Sequence, residues 1–168
     1  MTAPTLPTGI SIRTRFADTD PEAILKLHQE VYASEYGYGP AFFHYVEEGL
    51  EEFSRRFDPA SDGCWLCEHN GTIVGSLILM HREPHVYQLR FFVLSPAFRG
   101  KGLGHVLLRQ GFDFLSAQNA RAVFLWTTAE QHTAAALYRK YGFILTAEKE
   151  TVSMGKTLKE QKYERRLS

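Results

Sequence analysis

Cysteine, net charge and long apolar runs are all scarce in this sequence. Two of its 168 residues are cysteine. A disulfide framework is thereby excluded, and with no export signal in view both thiols are expected free, in a reducing cytoplasm. Nineteen Lys and Arg balance nineteen Asp and Glu, which excludes the broad basic footprint that nucleic acid or an anionic membrane surface demands. No apolar run reaches bilayer-crossing length; the longest stop at the length of a strand. Residues 1–8 hold prolines and threonines but neither a basic segment nor an apolar stretch, so they read as a flexible lead-in rather than a signal peptide. Residues 9–168 then suit one domain, long enough to bury a core without metal or disulfide staples.

Within that domain the apolar period changes along the chain. Residues 10–15 alternate, as in a short strand. Asp20 and Pro21 form a helix start, with Asp20 as N-cap, and Ile24, Leu27 and Val31 repeat at helical spacing. An aromatic, glycine-rich break at residues 35–40 leads to a second helix over 41–57. Strands are expected at 64–68, 73–81 and 86–94, the first two joined by an Asn70-Gly71 hairpin turn, so the middle of the chain is an antiparallel meander. Then comes a helix over 102–118 and an almost wholly apolar run over 122–127, as in a strand covered on both faces. Strand, helix and strand in that order make a βαβ unit with parallel strands. A helix over 131–141 stops at Gly142, and 143–150 and 162–167 are the last strand candidates.

The most informative segment is Val93-Leu94-Ser95-Pro96-Ala97-Phe98-Arg99-Gly100-Lys101-Gly102-Leu103-Gly104. A strand runs through a proline-marked loop into glycines that open a helix. Glycines allow close backbone approach, exposed N–H groups at the helix start attract phosphate, and Arg99 and Lys101 add positive charge. A pyrophosphate is the natural guest. A dinucleotide fingerprint needs a third glycine where His105 stands. A P-loop needs glycine and Ser or Thr where Ser95 and Gly102 stand, so both motifs fail.

Arg-Gly-x-Gly-x-Gly after such a strand resembles motif A of the GNAT superfamily of N-acetyltransferases. Downstream, Ala134-Ala135-Ala136-Leu137-Tyr138-Arg139-Lys140-Tyr141-Gly142-Phe143 resembles that family's motif B. A narrower resemblance, to the acetyltransferase half of MarR-GNAT fusion proteins, rests on residues 28–37, 89–94, 125–127 and 155–163, with no winged-helix half present. The GNAT resemblance implies an α/β (α+β) fold: a mixed, mostly antiparallel sheet, a central splayed parallel pair and about four helices. It also implies acetyl-CoA as co-substrate. The backbone of Phe92, Val93 and Leu94 would pair with the pantetheine arm. Arg99, Gly100, Lys101, Gly102, Leu103, Gly104 and His105 would hold the pyrophosphate.

Single residues carry the remaining expectations. Tyr138 stands where the family often has a tyrosine near the coenzyme sulfur; it acts as general acid or packs as an aromatic. A base for the amine is not found on the strand before motif A, where Gln88 and Arg90 lie. Glu35, on the aromatic loop, and His28 are substitutes, and a water relay or a neutral acceptor would need neither. Tyr36 and Tyr38, with His28, are expected to wall the acceptor pocket; Trp126 is expected in the core. Cys64 and Cys67 have a Cys-x-x-Cys spacing, but residues three apart on a strand face opposite ways and no partner pair completes a zinc site. His81, Glu83 and His85 read as a solvated hairpin, and no metal is expected. The function expected is direct transfer of an acetyl group from acetyl-CoA to a primary amine on a small molecule or peptide, by a cytoplasmic monomer or homodimer. The alternative is a module that binds acyl-CoA without turnover.

Overall fold

A computed structural model describes residues 5–152 and 156–167. Residues 1–4, half of the expected lead-in, and Gly155 at the head of one quoted segment lie outside the described residues. The elements run β1 (Ile10–Arg13), α1 (Asp20–Tyr36), α2 (Pro40–Arg56), β2 (Gly63–His69), β3 (Thr72–Glu83), β4 (Val86–Leu94), a 3-10 turn at Pro96–Phe98, α3 (Leu103–Ala117), β5 (Ala122–Thr128), α4 (His132–Lys140), β6 (Ile144–Thr151) and β7 (Leu158–Arg166). The strands form one sheet in the order β1-β2-β3-β4-β5-β7-β6. All neighbours are antiparallel except β4 and β5. The mixed, mostly antiparallel architecture and its parallel pair are as expected.

Several local rules act where the sequence placed them. Asn70 and Gly71 both take positive φ, the requirement of a two-residue hairpin turn. Gly142 has φ 86°, the Gly142 N–H bonds to the Arg139 carbonyl and the Phe143 N–H to the Tyr138 carbonyl, closing α4 with a Schellman motif. Asp20 differs. The cap position of α1 is Thr19, and the buried Asp20 carboxylate accepts from Arg13 and from the Ala17 N–H. It ties β1 to α1 instead of capping.

The sheet separates two apolar layers. Leu77, Leu79, Leu89, Val123 and Leu125 face α3 and α4, while Leu66, Ile78, Met80, Phe91 and Val93 face α1 and α2. Cys64 belongs to the second layer and Cys67 to the first, as opposite-facing strand residues must. Burial pushes both thiols up to about 12, so neither is a nucleophile at neutral pH.

Two irregularities shape the middle of the sheet. β4 pairs with β5 only at Val86↔Ala122, Tyr87↔Val123 and Gln88↔Phe124, and beyond Gln88 the strands part. On its other side β4 carries a bulge: between the pairs Ser76↔Val93 and Ile78↔Arg90, the single residue Leu77 of β3 opposes Phe91 and Phe92. Phe91 takes φ 53°, and the Ser76 hydroxyl donates to its carbonyl. This places Arg90 and Phe91 together on the α1–α2 side and turns Phe92 and Leu94 to the α3–α4 side.

The expectation that β5 is covered on both faces is corrected. Its burial alternates, with Phe124 and Trp126 half-buried. Neither ring on that face is part of the apolar clusters packed against the helices. Lysines cover it instead, Lys162 at 4.9 Å from the Phe124 ring centre and Lys149 at 4.7 Å from that of Trp126. Trp126 is therefore not a core residue.

Candidate active site

The start of α3 is built to meet an anion. Gly100 and Gly102 adopt φ 74° and 81°, and a Cβ at either would meet nothing within 4 Å. Conformation, not space, requires glycine there. The first bond inside the helix runs from the Val106 N–H to the Gly102 carbonyl. The N–H groups of Leu103, Gly104 and His105 are left without intrahelical acceptors, at the positive end of the helix dipole. Arg99 stands beside them, its Nε donating to the Leu94 carbonyl at 3.1 Å, and Lys140 of α4 lines the same space.

That space is a cavity of 690 Å³ bounded by β4, the glycine loop, α3 and α4. Phe92, Val93, Leu94, Arg99, Gly100, Gly102, Leu103, Gly104 and His105 all line it. Lys101 does not; its ammonium lies 5.7 Å from the centre of the Phe98 ring. Because β4 and β5 have parted, the β4 backbone beyond Gln88 has no strand partner on that side. Orphan N–H groups, an arginine and an open strand edge fit a coenzyme with a pyrophosphate and an amide-bearing arm.

A second cavity of 110 Å³ opens on the α1–α2 side of the same gap. His28, Tyr45, Gln88, Arg90, Trp126, Thr127, Tyr138 and Glu160 line it. Tyr32, Phe92 and Gln131 line both cavities, so the two meet there. Tyr138 lies at this junction, 5% exposed, with its ring among those of Phe92, Phe143 and Tyr163. Burial first, and Tyr32 nearby, push its phenol well above the ordinary range, so it holds its proton at any physiological pH. The Thr127 hydroxyl is buried without a hydrogen-bond partner among the described residues.

The expected acceptor residues separate. His28 lines the smaller cavity. Its Nδ1 lies 2.8 Å from the Ile24 carbonyl and so carries the hydrogen, which leaves Nε2 bare. Burial pushes its pKa down to about 4. Tyr36 lines the coenzyme-side cavity instead. Tyr38 lines neither: it is buried, its hydroxyl bonds to Thr128 and Glu130, and Lys156 lies 5.1 Å from its ring centre. It fastens the α1–α2 loop to the end of β5.

Glu35 also falls elsewhere than expected. α1 continues through Tyr36, so Glu35 sits in its last turn and not on a loop. Its carboxylate pairs with Arg99 and lines the coenzyme-side cavity. The carboxylate that does line the smaller cavity is Glu160 of β7, with a side chain 12% exposed and 3.7 Å from Lys149. Sequence reading missed it because β7 was expected to begin at Lys162. Among the described residues no group of three or more His, Cys, Asp or Glu is arranged to hold a metal ion, and no helix is long and apolar enough to cross a membrane.

Comparison with known proteins adds three findings. The family model for the acetyltransferase (GNAT) family matches residues 23–143. Among curated proteins, the mycothiol acetyltransferase of Streptomyces coelicolor is 29% identical over 150 residues, covering 84% of this chain and 45% of the relative. That of Thermobispora bispora is 30% identical over 155 residues, covering 84% and 48%. The chain thus spans less than half the length of these relatives. Among solved structures, a GNAT-family acetyltransferase of Staphylococcus aureus superposes with TM-score 0.78 at 19% identity, covering 95% of this chain and 99% of that one. A GNAT-family acetyltransferase of Elizabethkingia anophelis with acetyl-CoA bound gives TM-score 0.64 at 15% identity, covering 96% and 100%. These structural likenesses establish the shared fold.

Proposed function

The chain belongs to the acetyltransferase (GNAT) family, and from that premise we propose that it moves an acetyl group from acetyl-CoA directly to a primary amine. The observation that carries this reading is the meeting of two cavities at Tyr32, Phe92 and Gln131, beside the Tyr138 phenol. One cavity has a phosphate cradle at its far end. The other is smaller, with His28, Gln88, Arg90 and Glu160 among aromatic and aliphatic walls. A passage of that kind lets donor and acceptor meet without a covalent enzyme intermediate, and the two suppressed thiols offer no nucleophile for one.

When bound, the coenzyme supplies an activated thioester. The chain's own residues do the rest. The N–H groups opening α3, with Arg99, hold the pyrophosphate, and the backbone of Phe92 to Leu94 orients the arm along the open edge of β4. Glu160 draws the ammonium form of the acceptor into the smaller cavity and, as general base, accepts its proton beside the gap and passes it to solvent, taking the role expected of Glu35. His28, held neutral, presents an acceptor nitrogen on the same wall. In the transfer a C–N bond forms and a C–S bond breaks; the nitrogen gives its proton to the Glu160 carboxylate, the departing thiolate takes one from the Tyr138 hydroxyl, and solvent carries the proton from Glu160 away and restores the one on Tyr138. Positioning two reactants in one gap removes much of the entropic barrier before any proton moves.

The mycothiol acetyltransferases are named for mycothiol, and a small-molecule amine is the acceptor class we propose here too. The likeness to MarR-GNAT fusions rests on the quoted sequence segments, and the proposed unit of function is the acetyltransferase domain alone. Gln88 and Arg90, standing where relatives carry a strand carboxylate, favour the rival reading of a module that binds acyl-CoA without turnover. Release of free thiol from acetyl-CoA across a panel of small amines separates the two. Amine-dependent release supports the enzyme; a coenzyme-induced rise in melting temperature with no release across the panel supports the binding module.

A further inference from the structure

Arg90 is a buried cation with too little negative charge around it. Its side chain is 13% exposed. The guanidinium lies against Gly49 of α2, where an added Cβ would sit 2.5 Å from Nη2, with the Phe91 ring centre at 4.6 Å and that of Tyr45 at 5.5 Å. The nearest carboxylate, Glu52, is 3.9 Å away. Glu52 is already bound by Arg82 at 3.0 Å and approached by Arg56 at 3.7 Å. One carboxylate therefore serves three guanidinium groups, and Glu48 beside them is paired with His44. Burial first, and the neighbouring Arg82, push the Arg90 pKa down, against the opposing pull of Tyr45 and Glu52.

The neighbouring Gln88 reinforces this surplus of donors. It is buried, and its Oε1 accepts from Arg82 Nε at 2.7 Å. With the carbonyl thus occupied, the two amide hydrogens point away from Arg82. Gln88 and Arg90 both line the acceptor-side cavity. Glu160, of β7, lines the same cavity. The cavity, 110 Å³, takes a carboxylate and the few carbons between it and an amine.

We propose that the acceptor is a small amino acid or close analogue, its carboxylate seated on Arg90 and Gln88 and its amine directed toward Glu160 and the thioester gap. This names the substrate class of the acetyl transfer proposed above and rests on it. The planar fork of Arg90 matches a carboxylate in two parallel bonds, a geometry a lysine cannot reproduce. Burial makes those bonds strong, and a neutral isostere would leave the guanidinium unpaired.

The test compares amino acids with their carboxamides, which keep the amine and remove the negative charge. Two readouts are used: thiol release from acetyl-CoA, and binding of N-acetyl amino acids against N-acetyl amino amides to the protein holding coenzyme A. Wild type is expected to prefer the acid about ten-fold or more in both, the scale of one charge-assisted bidentate contact. Arg90→Met and Gln88→Leu should collapse that preference toward one, and Arg90→Lys should keep part of it. The rise in melting temperature on adding acetyl-CoA shows that each variant is folded; should Arg90→Met not fold, Arg90→Lys and Gln88→Leu decide. Equal use and binding of acid and amide by wild type overturns the proposal, as does a preference unchanged in every folded variant. If no amine is turned over while acetyl-CoA still binds, the transferase reading fails, and the product-binding comparison alone decides whether Arg90 reads a carboxylate.

Discussion

Tyr138 can serve the departing sulfur only through its hydroxyl, because its ring is held on three sides by Phe92, Phe143 and Tyr163. Tyr138→Phe keeps that packing and removes the donor. Turnover should fall about 10²-fold, the usual scale for a lost general acid, while acetyl-CoA affinity and stability hardly change; full turnover would leave Tyr138 as packing. Glu35 has the opposite signature. Its carboxylate pairs with Arg99, the residue proposed to engage the pyrophosphate, so Glu35→Gln should tighten acetyl-CoA binding by up to about five-fold, the value of a partly exposed ion pair. The acceptor KM should stay unchanged. Unaltered coenzyme binding, or a shifted acceptor KM, would return Glu35 to the acceptor side. His28 reports through pH. The folded chain resists its protonation down to about 4, whereas the unfolded chain takes up that proton near 6.5. Stability from this residue is complete above pH 6.5 and is lost as the pH falls toward 4. Denaturant melts at pH 7 and pH 5 should differ by about 2 kcal/mol more in wild type than in His28→Gln. Equal slopes would mean that the ring is hydrated in solution.

At the scale of elements, the glycine loop makes the sharpest demand. Gly102 needs φ 81° with open space around it, so Gly102→Val offends the backbone and crowds whatever lies above it. The acetyl-CoA-induced rise in melting temperature should vanish in that variant; an unchanged rise would put the coenzyme elsewhere. This loop was legible from sequence because proline and glycine punctuate it, and so were α4 with its Schellman stop and the Asn70-Gly71 turn. Other features were hidden for definite reasons. The bulge at Phe91 is imposed by β3 through Ser76, and no local signal in β4 announces that Arg90 and Phe91 share a face. The first residues of β7 (Leu158, Lys159, Glu160) are mostly polar because they pair with the edge strand β6, so neither the strand start nor Glu160 stood out. Glu35-Tyr36 read as loop because the aromatic, glycine-rich run begins there, yet α1 ends only at Gly37, whose φ of 67° stops it. At β5 the apolar run concealed lysines that arrive from β6 and β7.

For the whole molecule, the pairing of β4 with β5 at three positions is, among the described residues, the only sheet seam between the strands β1 to β4 and the strands β5 to β7. Amides along β4 beyond Gln88 on the β5 side should exchange with solvent readily in the free protein. Adding acetyl-CoA should slow exchange at Phe92 to Leu94 and at the start of α3 together, and a pattern indifferent to acetyl-CoA would mean that no arm is bound along β4. The short seam has a further consequence, outside catalysis. A protease cuts what opens, at a rate set by the open population when reclosing is fast, and a ligand that bridges the gap drains that population as its concentration rises above its Kd. The lifetime of this chain should therefore lengthen when acetyl-CoA is abundant and shorten when it is scarce, so that the amount of protein follows the supply of its own co-substrate.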